Sequence, residues 1–92
     1  MAEAGFRVTG RVQGVGYRWW ARAQGTRLGV TGTVRNADDG SVVVQARGSD
    51  TALAELERLL GEGPPHARVA LVERIPTSLS GSHAESGFEI VR

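Results

Sequence analysis

Phe6-Arg7-Val8-Thr9-Gly10-Arg11-Val12 runs into Gln13-Gly14-Val15-Gly16 and then Tyr17-Arg18-Trp19-Trp20-Ala21, and the periodicity changes on the way. Phe6, Val8, Gly10 and Val12 alternate with Arg7, Thr9 and Arg11, the two-residue period of a half-buried strand. Gly14 and Gly16 interrupt that pattern. From Tyr17 to Leu28 the spacing becomes helical, with Tyr17, Trp20 or Ala21, Gln24 and Leu28 on one side. Gly25 is a weak point there, costing about 1 kcal/mol relative to alanine. Gly29 stands where a helix end favours a left-handed residue.

Further along, Val30 to Asn36 predicts a second strand, Ala37-Asp38-Asp39-Gly40 a tight turn, and Ser41 to Arg47 the returning strand of a hairpin. Ser49 or Asp50 can cap a second helix carrying Leu53, Leu56, Leu59 and Leu60 as its apolar stripe. Gly61, Gly63, Pro64 and Pro65 end it. A fourth strand is expected over Ala67 to Ile75, a loop over Pro76 to Gly87, and a short fifth strand over Phe88 to Arg92. This β-α-β-β-α-β order predicts an α+β, ferredoxin-like sandwich: an antiparallel sheet with two helices on one face and a short C-terminal strand. A single domain is expected over residues 1–92, because a chain of this length holds one modest core.

Composition narrows the chemistry. There is no cysteine, which excludes disulfides, thiolate metal sites and cysteine nucleophiles. All eleven basic residues are arginines, so lysine Schiff bases and the lysine of an ATP-binding loop are excluded as well. A net charge of +1 is poor footing for nonspecific nucleic-acid binding. No apolar run approaches the roughly 20 residues that span a bilayer, and Met1-Ala2-Glu3-Ala4 lacks the look of a secretory signal. A cytoplasmic monomer that contacts neither membrane nor nucleic acid is the expectation.

The glycine segment has the chemistry of an oxyanion site. Glycines at positions 14 and 16 let successive backbone N–H groups turn inward, and the segment enters a helix N-terminus, where unpaired amides favour negative charge. Arg18 lies in the first helical turn, and helical side chains lean back toward the N-terminus, over the loop. Strands one and two should run parallel to each other, since a helix crosses between them. Their C-terminal ends, carrying the loop and Asn36, then share one rim of the sheet.

Taken together, Gly10-Arg11-Val12-Gln13-Gly14-Val15-Gly16-Tyr17-Arg18 and Gly32-Thr33-Val34-Arg35-Asn36, with Asp39-Gly40-Ser41-Val42 after them, resemble the two signatures of the acylphosphatase family. The similarity covers almost the whole chain. It implies hydrolysis of the carboxyl–phosphate bond of small acyl phosphates without metal or cofactor, with inorganic phosphate as product and competitive inhibitor. It implies a phosphate cradle from the backbone of Gln13, Gly14, Val15, Gly16, Tyr17 and Arg18, the Arg18 guanidinium on the phosphoryl group, and Asn36 orienting water. Ser41 would support Asn36 from the facing strand.

Other residues carry plainer expectations. His66 and His83 read as surface residues, Asp38 and Asp39 as turn formers, and Glu55, Glu57 and Glu62 as the solvated side of the second helix. One of Trp19 and Trp20 should pack inward, and Arg22 and Arg27 should add positive potential at the mouth. The competing function is a catalytically silent plait serving as an RNA-binding or interaction module. It would need aromatics on the exposed strand face, and the central strands, which carry Val42, Val43 and Val44, show no such aromatic run.

Overall fold

The computed structural model describes residues 1–77 and 87–91. Seven elements follow in chain order: β1 (Ala2–Arg11), α1 (Tyr17–Arg27), β2 (Thr31–Asn36), β3 (Val42–Gly48), α2 (Asp50–Glu62), β4 (Arg68–Ile75) and β5 (Phe88–Val91). The sheet has the order β4-β1-β3-β2-β5. Both β1 and β2 pair antiparallel with β3, so they run parallel to each other with one strand between them.

Register places the alternating residues face to face. Phe6 lies opposite Val44, Val8 opposite Val42, and Val34 opposite Val44 from the other side. These five side chains are fully buried, and both helices close over them. From α2 come Leu53, Leu56 and Leu60; from α1, Tyr17 and Ala21. On the other face the central strands carry Arg7, Thr9, Val43 and Gln45 and no aromatic side chain. Among the described residues, no helix is long and apolar enough to cross a membrane.

Boundaries differ from expectation in instructive ways. β1 begins at Ala2 rather than Phe6, because Ala2 to Gly5 pair with Gln45 to Gly48 although their apolar signal is slight. Ser49, not Asp50, caps α2: its hydroxyl accepts from the Ala52 N–H at 3.0 Å. Gly61 stays inside that helix, and Gly63, at φ 69°, ends it. The sheet is antiparallel only as far as β2, since β5 pairs parallel with β2. β4 runs antiparallel to β1 at one edge, so β4 and β5 point in opposite directions at the two edges of the sheet. The loop expected over Pro76 to Gly87 and the last residue of the fifth strand, Arg92, lie largely or wholly outside the described residues.

Two contacts set the depth of the helices. The Tyr17 hydroxyl donates to the Leu60 carbonyl at 2.6 Å, joining the first turn of α1 to the last turn of α2. Burial pushes that phenol well above its ordinary pKa, so it stays a donor. Gly25 rests on the Phe88 ring; a Cβ there would lie 2.5 Å from a ring carbon. What looked like a weak point is the place where α1 approaches β5.

Candidate active site

At the end of β1 a bulge between Thr9 and Gly10 shifts the register against β4. Gly10 has φ 124°, and a Cβ on it would sit 2.2 Å from the Arg68 carbonyl oxygen, so only glycine fits. Past the bulge the chain leaves the sheet and turns through Gly14 (φ 74°) and Gly16 (φ 80°) into α1. No atom lies within 4 Å of where either Cβ would be, so these two glycines serve backbone conformation and leave open space over the bend.

Gly16 is the N-cap of α1, with no side-chain cap and no acidic residue in the first turn. The first helical bond runs from the Trp20 N–H to the Gly16 carbonyl at 3.0 Å. The amides of Tyr17, Arg18 and Trp19 therefore have no acceptor in the helix, and they sit at its positive end. Arg18 is half-buried, and its guanidinium forms no hydrogen bond or ion pair among the described residues. Such an end is built to receive an anion.

Asn36, the last residue of β2, lies opposite Val42, which in turn lies opposite Val8 of β1. Two strand spacings of about 4.8 Å separate it from the strand that feeds the loop. The chain then reverses: the Ala37 N–H donates to the Ser41 carbonyl at 2.8 Å, and the Gly40 N–H to the Ala37 carbonyl at 3.2 Å. Gln13 ties the two segments together, its Nε2 donating to the Ala37 carbonyl at 2.8 Å and the Ser41 carbonyl at 2.9 Å. The glycine loop is thus fastened to the turn that begins immediately after Asn36.

Within that turn, Asp39 Oδ1 accepts from the Ser41 hydroxyl at 2.5 Å and the Ser41 N–H at 2.9 Å. The hydroxyl first, then the amide, hold the Asp39 carboxyl below the usual carboxylate range. This corrects the expected support of Asn36 by Ser41. The single hydroxyl proton goes to a carboxylate two residues away, and Asn36 Oδ1 is buried without a hydrogen-bond partner among the described residues. Ser41 contributes through its main chain instead.

The remaining candidates sort simply. Trp20 packs against the core beside Tyr17, with ring centroids 5.4 Å apart, while Trp19 is exposed with Arg22 over its ring. Arg22 donates to the Phe88 carbonyl and Arg27 to the Gln24 side chain, both neutral acceptors that leave the two positive charges in place. His66 is exposed, and His83 lies outside the described residues. Glu55 and Glu62 pair with Arg58, and Glu57 with Arg74. Sequence reasoning missed the Gln13 side chain and Asp39. The sequence carries no signal for the Gln13 bonds, whose partners are 24 and 28 residues away.

Comparison with known proteins bears on the chain as a whole. The profile of the Acylphosphatase family matches residues 4–90. The chain is 52% identical over 83 residues to the acylphosphatase of Salinibacter ruber, covering 90% of this chain and 82% of that one. It is 48% identical over 82 residues to the acylphosphatase of Thermobifida fusca, covering 89% and 88%. The crystal structure of acylphosphatase from Bacillus subtilis superimposes with a TM-score of 0.88 at 33% identity, over the full length of both chains. A profile spanning both signature segments, relatives near half identity and a superposable fold lead to one conclusion: the chain belongs to the acylphosphatase family.

Proposed function

We propose that this chain hydrolyses the carboxyl–phosphate bond of acyl phosphates, without metal or cofactor, at the rim where the glycine loop meets Asn36. The observation that carries this is the Gln13 bridge, which holds an anion-receiving loop against the turn following Asn36. In this scheme the backbone amides from Gln13 to Arg18 and the Arg18 guanidinium take the phosphoryl oxygens. Asn36 offers Oδ1 to a proton of the attacking water. An amide is too weakly basic to remove that proton, so its task is alignment.

The bond made is between the water oxygen and phosphorus; the bond broken joins phosphorus to the acyl oxygen. The leaving carboxylate is a weak base and needs no general acid. The water's surplus proton passes to the phosphate. A loose phosphoryl transition state asks chiefly for positioning and charge stabilisation, which this set of groups can supply. We extend the proposal to a monomeric, cytoplasmic enzyme acting on small molecules, in keeping with a charge of +1 and a site drawn from one chain.

The test is benzoyl phosphate hydrolysis in EDTA, with two variants checked for folding by thermal melts. Wild type should turn over at an undiminished rate. Arg18→Gln should lose about a hundredfold to a thousandfold in rate and bind inorganic phosphate poorly. Asn36→Ala should lose turnover while phosphate inhibits as before, the pattern of a group acting on water. Activity abolished by the chelator, or an Arg18→Gln enzyme inhibited normally by phosphate, would reject the scheme.

A further inference from the structure

A cavity of about 550 Å³ lies beside the glycine loop, lined by Arg11, Val15, Pro65, His66, Ala67 and Arg68. Arg11 and Arg68 are register partners on β1 and β4, and both are exposed. Neither forms a hydrogen bond or ion pair among the described residues, whereas Arg47, Arg58 and Arg74 are each matched to a glutamate. Among the described residues, no carboxylate lines the cavity. Two uncompensated guanidinium groups and an imidazole thus face one space of ligand-sized volume.

Its position matters as much as its charge. In the strand order β4-β1-β3-β2-β5, Asn36 stands two strands to one side of β1, and Arg68 one strand to the other. The loop between them contributes Val15 to the cavity wall. Phosphoryl transfer needs the attacking and leaving oxygens roughly in line. Water aligned from the β2 side therefore directs the leaving acyl group toward the β4 side, where the cavity opens.

We propose that this cavity receives the acyl half of the substrate and binds a second anionic group on it, a carboxylate or a phosphate. This rests on the assignment of phosphate to the loop and water to Asn36 made above. The preferred substrates are then acyl phosphates whose acyl part is itself charged. Arg68 and Arg11 are specificity residues in this scheme and take no part in the chemistry at phosphorus.

Benzoyl phosphate, 4-carboxybenzoyl phosphate and 4-phosphonobenzoyl phosphate, compared at low salt, decide the matter. The two charged compounds separate carboxylate from phosphate as the favoured group. At least one should exceed benzoyl phosphate in kcat/KM by about tenfold, the scale of one charge-assisted hydrogen bond. Arg68→Gln should reduce that advantage at least severalfold and leave benzoyl phosphate turnover as it was. Equal kcat/KM for all three substrates, or an advantage intact in Arg68→Gln, would overturn the proposal. Titration calorimetry with benzoylphosphonate and 4-carboxybenzoylphosphonate keeps the two proposals separable. Absence of turnover on every substrate would count against the hydrolase. Tighter binding of the carboxylated phosphonate, lost in Arg68→Gln, would still support the cavity, and equal or absent binding would refute it.

Discussion

Gln13 spends one amide nitrogen on two carbonyls, those of Ala37 and Ser41, that lie 24 and 28 residues away. Both carbonyls also accept a main-chain N–H, so losing Gln13 would not leave them bare. Gln13→Ala should therefore cost only about 1–2 kcal/mol in denaturant unfolding. Its effect on catalysis should be the larger one, because the loop and Asn36 would lose their common fastening. A fall in kcat/KM of about tenfold is expected, since small misplacements of positioning groups are expensive in rate. Turnover equal to wild type would show that the loop holds its place alone. No local pattern could have revealed this bond, because its partners meet only after the sheet has formed. Ser41 illustrates the opposite difficulty. Its facing-strand neighbour looked available, but an Asp two residues back in the turn is nearer and more strongly accepting.

Among the elements, α2 was legible from sequence because its leucines recur at helical spacing behind a serine cap, and each proves buried. Alternation likewise marked Phe6, Val8 and Val12, which are core positions. The continuous run Val42-Val43-Val44 did not show that Val42 and Val44 are the members turned toward the helices. Gly25 was misread, because periodicity reports which face is buried and not how closely the facing element approaches. An alanine there would gain about 1 kcal/mol in helix propensity, yet its methyl would overlap the Phe88 ring. Overpacking typically costs about 1–3 kcal/mol, so Gly25→Ala should be net destabilising. Urea unfolding measures the balance, and perturbed Phe88 ring resonances in NMR spectra would locate it. A stabilised variant would mean that β5 yields easily to α1.

At the level of the molecule, the strand order makes a gradient of protection. β3 lies between β1 and β2, and Val42 to Ala46 are buried without interruption. β4 and β5 are the two edges, each with a single neighbour in the sheet, and most of β4 is exposed. Amide hydrogen exchange followed by NMR should find the slowest protons on β3 and the fastest strand protons on β5. Protection of β4 or β5 equal to that of β3 would contradict this ordering. The plait itself could be anticipated from the succession of elements, and with it the meeting of the loop and Asn36 on one rim. The direction of the last strand could not, because four residues carry no orientation of their own.

That direction governs where the chain can be tethered. β5 advances alongside β2 until Val91 stands level with Arg35, next to Asn36, whereas Ala2 is level with Gly48 at the opposite rim. Six residues of strand, about 20 Å, separate Ala2 from the row that contains Val8. A carrier or label grafted beyond β5 would emerge at the doorstep of the incoming phosphate. One attached ahead of β1 would hang from the far side, leaving the entrance clear.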